Sequence, residues 1–174
     1  MIYWCFESYN NLLKTYLKSQ DFWEPIFQDF EKADLFDNKD IPNYIKSIFQ
    51  RQFSSFFSDQ IMQTYVHWEI SEPNTMLREI SEEREIKGAK ISALTDPHFE
   101  DSTYNFRSIL ALLLGGSYYL VWHAKNNGTT VCGVDINKSQ EREDVVRSLG
   151  QVIDLVWAAA ENDGISKLKG KLNK

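Results

Sequence analysis

The chain has 174 residues and a formal net charge of −6, a length that suits one ordinary domain and a charge that argues against a freestanding nucleic-acid binder, which would carry a basic stripe. Apolar residues make up 43% of the sequence, enough for a core, and the aromatic share is high at 14%; such rings bury large areas and also line pockets for hydrophobic ligands. Two cysteines, Cys5 and Cys132, make no disulfide framework, so a reducing, cytoplasmic setting is expected. The opening MIYWCFESYNN has neither the basic nor the long apolar region of a signal peptide. The longest charge-free apolar stretch, Ile109 to Trp122, is shorter than the roughly 20 residues a membrane helix needs, so no membrane partner is expected.

Helical periodicity dominates and strand alternation is nearly absent, so the fold class is all-α. Leu12, Leu13, Tyr16 and Leu17 mark one face of a first helix, with Ser8 placed as its N-cap. A second carries Trp23, Ile26, Phe27 and Phe30, with Asp21 and Glu24 at capping-box spacing and Pro25 implying a kink or restart. The acidic run 33–40 reads as a loop. Asp40-Ile41-Pro42 opens the next helix, whose apolar positions are Ile45, Ile48, Phe49, Phe53, Phe56 and Phe57. Ser58-Asp59 breaks it, and Ile61, Met62, Tyr65, Val66 and Trp68 resume the helical spacing.

After Pro73 a mostly charged helix is expected from Asn74 to about Leu94, lying on the surface, burying Leu77 and Ile80 and carrying a Glu83–Lys87 pair one turn apart. Thr95-Asp96-Pro97 reads as a turn. The helix from about Ser102 to Asn126 is apolar on nearly every face between Ile109 and Trp122, and must be covered on all sides, by the domain core on one and a second subunit on the other. Asn126-Asn127-Gly128 ends it, Thr129 to Ile136 is an irregular link, and a last helix runs from Ser139 to about Glu161. The basic tail from Gly164 reads as a frayed end.

Met1 to Leu13, with Tyr3, Phe6, Ser8, Leu12 and Leu13, resembles the end of the helix-turn-helix of TetR-family transcription regulators; the position after the serine, often lysine in that family, is Tyr9 here. His67 to Gly88 and Leu110 to Ile136 resemble the C-terminal domain of a subset of these regulators. The resemblance implies a bundle that dimerises through its last two long helices as a four-helix bundle. It divides the chain into a remnant of the DNA-reading head with the start of the linking helix (1–13), a ligand-binding and dimerisation domain (14–162) and a flexible basic tail (163–174). Tyr3, Trp4 and Ser8 would be the DNA-binding remnant, and operator DNA would be reached only through the missing head, since a helix-turn-helix needs its first helix to brace the second. The implied partners are a second copy of the chain and a small hydrophobic effector, with no cofactor.

On that reading the ligand-binding candidates are Trp23, Phe27, Phe49, Phe53, Tyr65, Trp68, Tyr104 and Tyr118, each of which plain core packing would explain as well. Glu69, His67 and His123 offer polar contacts or lie on the surface. The dimer candidates are Leu110, Leu114, Gly116, Val121, Val145, Leu149, Val152 and Val156, and Tyr118 could belong to either set. Gly115 and Gly116 stand mid-helix, where glycine costs about 1 kcal/mol relative to alanine, a cost that a crossing helix or a ligand would offset.

An enzyme is not expected. None of His67, His98 and His123 has a Glu three residues before it, as di-iron bundles require, and neither metal spacing nor a phosphate loop is present. The alternative is a helical adaptor that dimerises or binds a small molecule without DNA.

Overall fold

A computed structural model describes residues 6–32 and 41–172. Among them are seven helices and no strand: α1 Tyr9–Ser19, α2 Trp23–Lys32, α3 Ile41–Ser58, α4 Gln60–Ser71, α5 Thr75–Phe99, α6 Phe106–Asn127 and α7 Ser139–Leu172. The all-α class is therefore observed. No helix among the described residues is long and apolar enough to cross a membrane.

The helix starts follow from short polar side chains that accept hydrogen bonds from otherwise unpaired backbone N–H groups. Ser8 accepts from Asn11 N, Asp59 from Ile61 N and Met62 N, Asn74 from Leu77 N and Asn105 from Ser108 N. Asp21 accepts from Trp23 N at 3.0 Å, which leaves Pro25 in the first turn of α2, where its missing N–H has no intrahelical partner to lose. Gly128 ends α6 at φ +64°, a left-handed conformation that glycine adopts without strain. In the link that follows, Val131 and Val134 exchange two backbone hydrogen bonds across Cys132-Gly133, and Ile136 is buried as its anchor.

Two helices run further than expected. The segment Thr95-Asp96-Pro97 is not a turn: α5 continues to Phe99. Pro97 sits in the last turns, and the residue whose carbonyl it fails to meet, Ala93, is exposed to water. Packing holds the extension, because Phe99 stacks on Phe106 with centroids 4.4 Å apart, and both meet Trp157 edge-on. The last helix passes Glu161 and reaches Leu172. Asp163 accepts from Thr103 N at 3.1 Å and from its hydroxyl at 2.7 Å, tying α7 to the α5–α6 connection beyond the expected end. The acidic run 33–40 lies outside the described residues.

The core has two parts joined by α3. Phe53 and Phe56 from its second half pack with Leu17, Met62, Tyr65, Leu77, Val121 and Leu149. Ile45, Ile48 and Phe49 from its first half pack with Ile26, Phe27, Ile91, Phe106 and Ile153. Between the two halves lies Gln52, fully buried. The most extensive helix pairing is α3 on α7, and Gly150 permits the close crossing, since a Cβ there would stand 2.9 Å from Gln50 Nε2, which donates to Val146 O.

The first two helices ride along α5 on charge pairs. Lys14 bonds Glu79 at 2.7 Å, Lys18 bonds Glu83, Arg84 meets Asp21 at 3.2 Å, Lys87 meets Glu24 at 2.6 Å and Lys90 meets Glu31 at 3.2 Å. Glu83 and Lys87, expected to pair with each other along α5, instead each take a partner from the other helices. The signs invert along the ladder, basic on α1 and acidic on α2, which fixes the register of α1 and α2 against α5.

Candidate functional site

Where α2, α3, α5 and α6 fail to close on one another they leave a cavity of about 450 Å³, within the range of small-molecule sites. Its floor is apolar and buried: Phe27 from α2, Ile45, Ile48 and Phe49 from α3, and Ile91 from α5. Trp23, Leu110, Leu114 and Tyr118 form half-buried sides, and Glu85, Ala89, Arg107 and Ala111 stand exposed at the mouth between α5 and α6. Trp23 and Phe27, one turn apart, stack at 6.3 Å and 21°. Gly88 keeps the space over Phe27 open, because a Cβ there would meet only Phe27 Cε1, at 3.9 Å.

One wall is charged. The side chain of Arg84, 14% exposed, lies between Asp21 and Glu69, at 3.2 and 3.4 Å. Its Nη2 also donates to the Tyr65 hydroxyl at 2.9 Å. Burial alone would disfavour the charged guanidinium, but the two carboxylates outweigh it and raise its pKa. Burial pushes the Tyr65 and Tyr118 hydroxyls up, so both remain neutral donors at physiological pH. Neither amide atom of the buried Gln52 has a hydrogen-bond partner by distance and angle, although the group lies close enough to the Tyr118 hydroxyl to oppose the effect of burial there slightly. An orphaned buried amide costs roughly 1–3 kcal/mol, and this one lies beside a residue that lines the cavity.

The eight candidate ligand residues divide evenly. Trp23, Phe27, Phe49 and Tyr118 line the cavity together. Phe53, fully buried, belongs to the packed core. Tyr65 stands behind the wall and meets the site through Arg84, which donates to its hydroxyl. Trp68 is half-buried and donates its indole N–H to Glu72 at 2.9 Å, and Tyr104 is exposed in the α5–α6 connection. Of the polar candidates, Glu69 lines the cavity. His67 sits edge-on against Trp122, and His123 bonds Thr129 at the end of α6.

Arg84 and Gln52 were not foreseen. Arg84 lies on the face of α5 that carries Leu77, Ile80 and Ile91, but in a helix so rich in charge that one basic residue does not stand out. Gln52 carried a legible signal: it shares a helical face with Ile48, Phe49, Phe53 and Phe56, and a polar residue on that face asks for a partner.

Most of the candidate dimer residues serve the chain's own interior. Val121 is fully buried and Leu149 nearly so, Val145 packs on the first core part, Val156 on the second, and Leu110 and Leu114 face the cavity. Val152 is half-buried and Gly116 exposed. The outer apolar surface instead carries Leu112 at 75% exposure, Tyr119 at 58% and Leu155 at 70%. Helices α6 and α7 run antiparallel: Phe106 meets Trp157 near one end, and Lys125 and Arg142 both lie over the Phe57 ring near the other. Helical spacing puts Leu112, Gly115, Gly116 and Tyr119 on one face of α6. A Cβ on either glycine would meet nothing within 4 Å.

Of the residues proposed as a DNA-binding remnant, Ser8 caps α1, while Tyr3 and Trp4 lie outside the described residues. Among the described residues no group of three or more His, Cys, Asp or Glu side chains is placed to hold a metal ion. The chain matches no protein-family model, no curated protein and no solved structure.

Proposed function

We propose that the chain is the ligand-sensing and self-pairing part of a TetR-like regulator, taking a small, mainly hydrophobic molecule into the cavity between α5 and α6. The observation that carries the reading is the cavity itself: about 450 Å³ over a buried aromatic and aliphatic floor, with one charged wall and a mouth to solvent. The sequence resemblance supplies the regulator class, and the exposed row on α6 with Leu155 on α7 supports pairing through these two helices. Leu112, Tyr119 and Leu155 are large apolar side chains left mostly exposed on these two helices, the kind of surface a second copy would cover.

The same geometry suggests how binding would be transmitted. Helix α5 contributes cavity residues on one side and carries α1 on the other, through Glu79 and Glu83 against Lys14 and Lys18. A molecule that binds better to one placement of α5 shifts the population of α1 with it, since a ligand moves an equilibrium only by its differential affinity. In this reading α1 leads to the DNA-reading head.

Native mass spectrometry of the purified chain tests both parts. The expected spectrum shows a dimer, with bound small-molecule mass that is released on collisional activation. A chain that stays monomeric at micromolar concentration and takes up no hydrophobic probe such as dansylamide would overturn the reading.

A further inference from the structure

The charged residues lining the cavity are two acids, Glu69 and Glu85, and two bases, Arg84 and Arg107. An excess of negative charge appears once their ion-pair partners Asp21 and Asp96, which lie outside the lining, are counted. Arg107 is already matched, its Nε and Nη2 donating to the two oxygens of Asp96 at 2.9 and 2.6 Å. Arg84 is shared by two carboxylates, Asp21 and Glu69, with all three side chains at most 16% exposed, so this buried cluster retains one net negative charge. Glu85 adds a second carboxylate at the mouth, with no cation at ion-pair distance among the described residues. Behind the wall Lys87 approaches the Phe27 ring at 5.9 Å but is matched by Glu24 at 2.6 Å, so it adds no uncompensated charge.

We infer, resting on the ligand-binding reading above, that the cavity selects lipophilic cations: an amine or quaternary ammonium carried on an aromatic or aliphatic body. The body would lie on the floor of Phe49 and Ile48, with the cationic group directed to Glu69 and Glu85. The faces of Trp23 and Phe27 favour the same sign of charge, because an aromatic ring presents negative potential above its plane. An anion would meet two carboxylates and, among the described residues that line the cavity, no cation without a carboxylate partner. A neutral molecule would fill the apolar space and leave the excess charge uncompensated in a partly desolvated site, where it acts more strongly than in water.

Three fluorescent probes of matched body and different charge test this: dansylethylenediamine, a cation at neutral pH, dansylamide, which is neutral, and dansylglycine, an anion. Titrated into the whole chain at low ionic strength, the cation is expected to bind about tenfold more tightly than the neutral probe, with the anion weakest. The cation-to-neutral affinity ratio should fall toward one in Glu85→Gln and further in Glu69→Gln/Glu85→Gln. Should the double variant fail to fold, the ratio in Glu85→Gln alone decides. Equal affinities, or a preference for dansylglycine, would overturn the cation inference while dansylamide binding preserved the cavity reading. Binding of none of the three would overturn both.

Discussion

Helices α5 and α6 each turn out opposite to the impression their composition gives. By its residues α5 is a charged surface helix, yet it supplies a wall and part of the floor of the cavity, and its Arg84 is held between two shielded carboxylates. By its residues α6 is buried all round, yet it leaves Leu112 and Tyr119 largely exposed. The difference teaches that net hydrophobicity places a helix only when its neighbours' chemistry is known. The charges on α5 meet opposite charges on α1 and α2, whereas the apolar surface of α6 exceeds what one chain can cover.

The largest effect is expected at Arg84. Arg84→Met removes the counter-charge from Asp21 and Glu69 and should cost about 3–5 kcal/mol in urea unfolding, the usual penalty for stranding a buried charge. A loss below about 1 kcal/mol would show that the wall is solvated and that α5 is a surface helix after all. Next come two leucines of contrasting place. Leu77→Ala on α5, at a position 1% exposed, should cost about 2–5 kcal/mol, whereas Leu112→Ala on the nominally buried α6 should change the stability of a single chain by no more than about 0.5 kcal/mol. Similar losses at both sites would erase the distinction.

A smaller effect is expected at Gly116. With nothing within 4 Å of a Cβ there, Gly116→Leu should leave the circular dichroism of the chain unchanged. If α6 crosses its mate closely, sedimentation should show pairing weakened by at least about tenfold, or ~1.4 kcal/mol; an unchanged dimer would remove this face from the interface. The smallest effect is the acid sensitivity of the ladder between α5 and the first two helices. The hydrogen bond from Lys87 lowers the pKa of Glu24, and that from Lys18 lowers the pKa of Glu83, both below the ordinary 4.5. A lowered folded-state pKa means that the stabilisation is complete above about pH 4.5 and is lost as the pH falls through the folded values. These side chains are 38% and 43% exposed, so solvent screens them and each pair is worth about 0–1 kcal/mol. Glu24→Gln/Glu83→Gln should flatten the acid limb of the stability curve, and an identical limb in the double variant would count against the ladder.

Most of the helix starts were legible in the sequence because a single side chain decides each of them. Ser8 caps α1 as its spacing to the following apolar run implies, and the break read at Ser58-Asp59 and the start read at Asn74 fall on the caps of α4 and α5. Gly128 stops α6, whereas α6 begins at Phe106, capped by Asn105, rather than near Ser102. The end of α5 was not legible. Pro97 is a local stop signal, overridden by a contact between Phe99 and Phe106 that exists only once α6 folds back. All four aromatic residues of the cavity were among the eight candidates, because Trp23 and Phe27 share one face of α2 and Phe49 and Tyr118 lie on apolar stretches of α3 and α6. Phe53, one turn further along α3, looks the same in sequence and is plain core, since only the packing of α4 and α6 separates the two. Arg84 shares its face with Leu77 and Ile80, but its partners lay beyond reach, because a charged side chain reads alike whether it meets water or a carboxylate some 60 residues away, as Asp21 is here.

If the space above Phe27 is a binding site, a bulky side chain at Gly88 should block it. Gly88→Phe projects a ring into that space from a position where a Cβ has room, so the helical content should be preserved. Titration of dansylamide into the wild-type chain should give saturable binding at one site per chain, weakened by more than about tenfold in Gly88→Phe. Equal binding by the two proteins, with both folded, would show that the space above Phe27 is not the binding site.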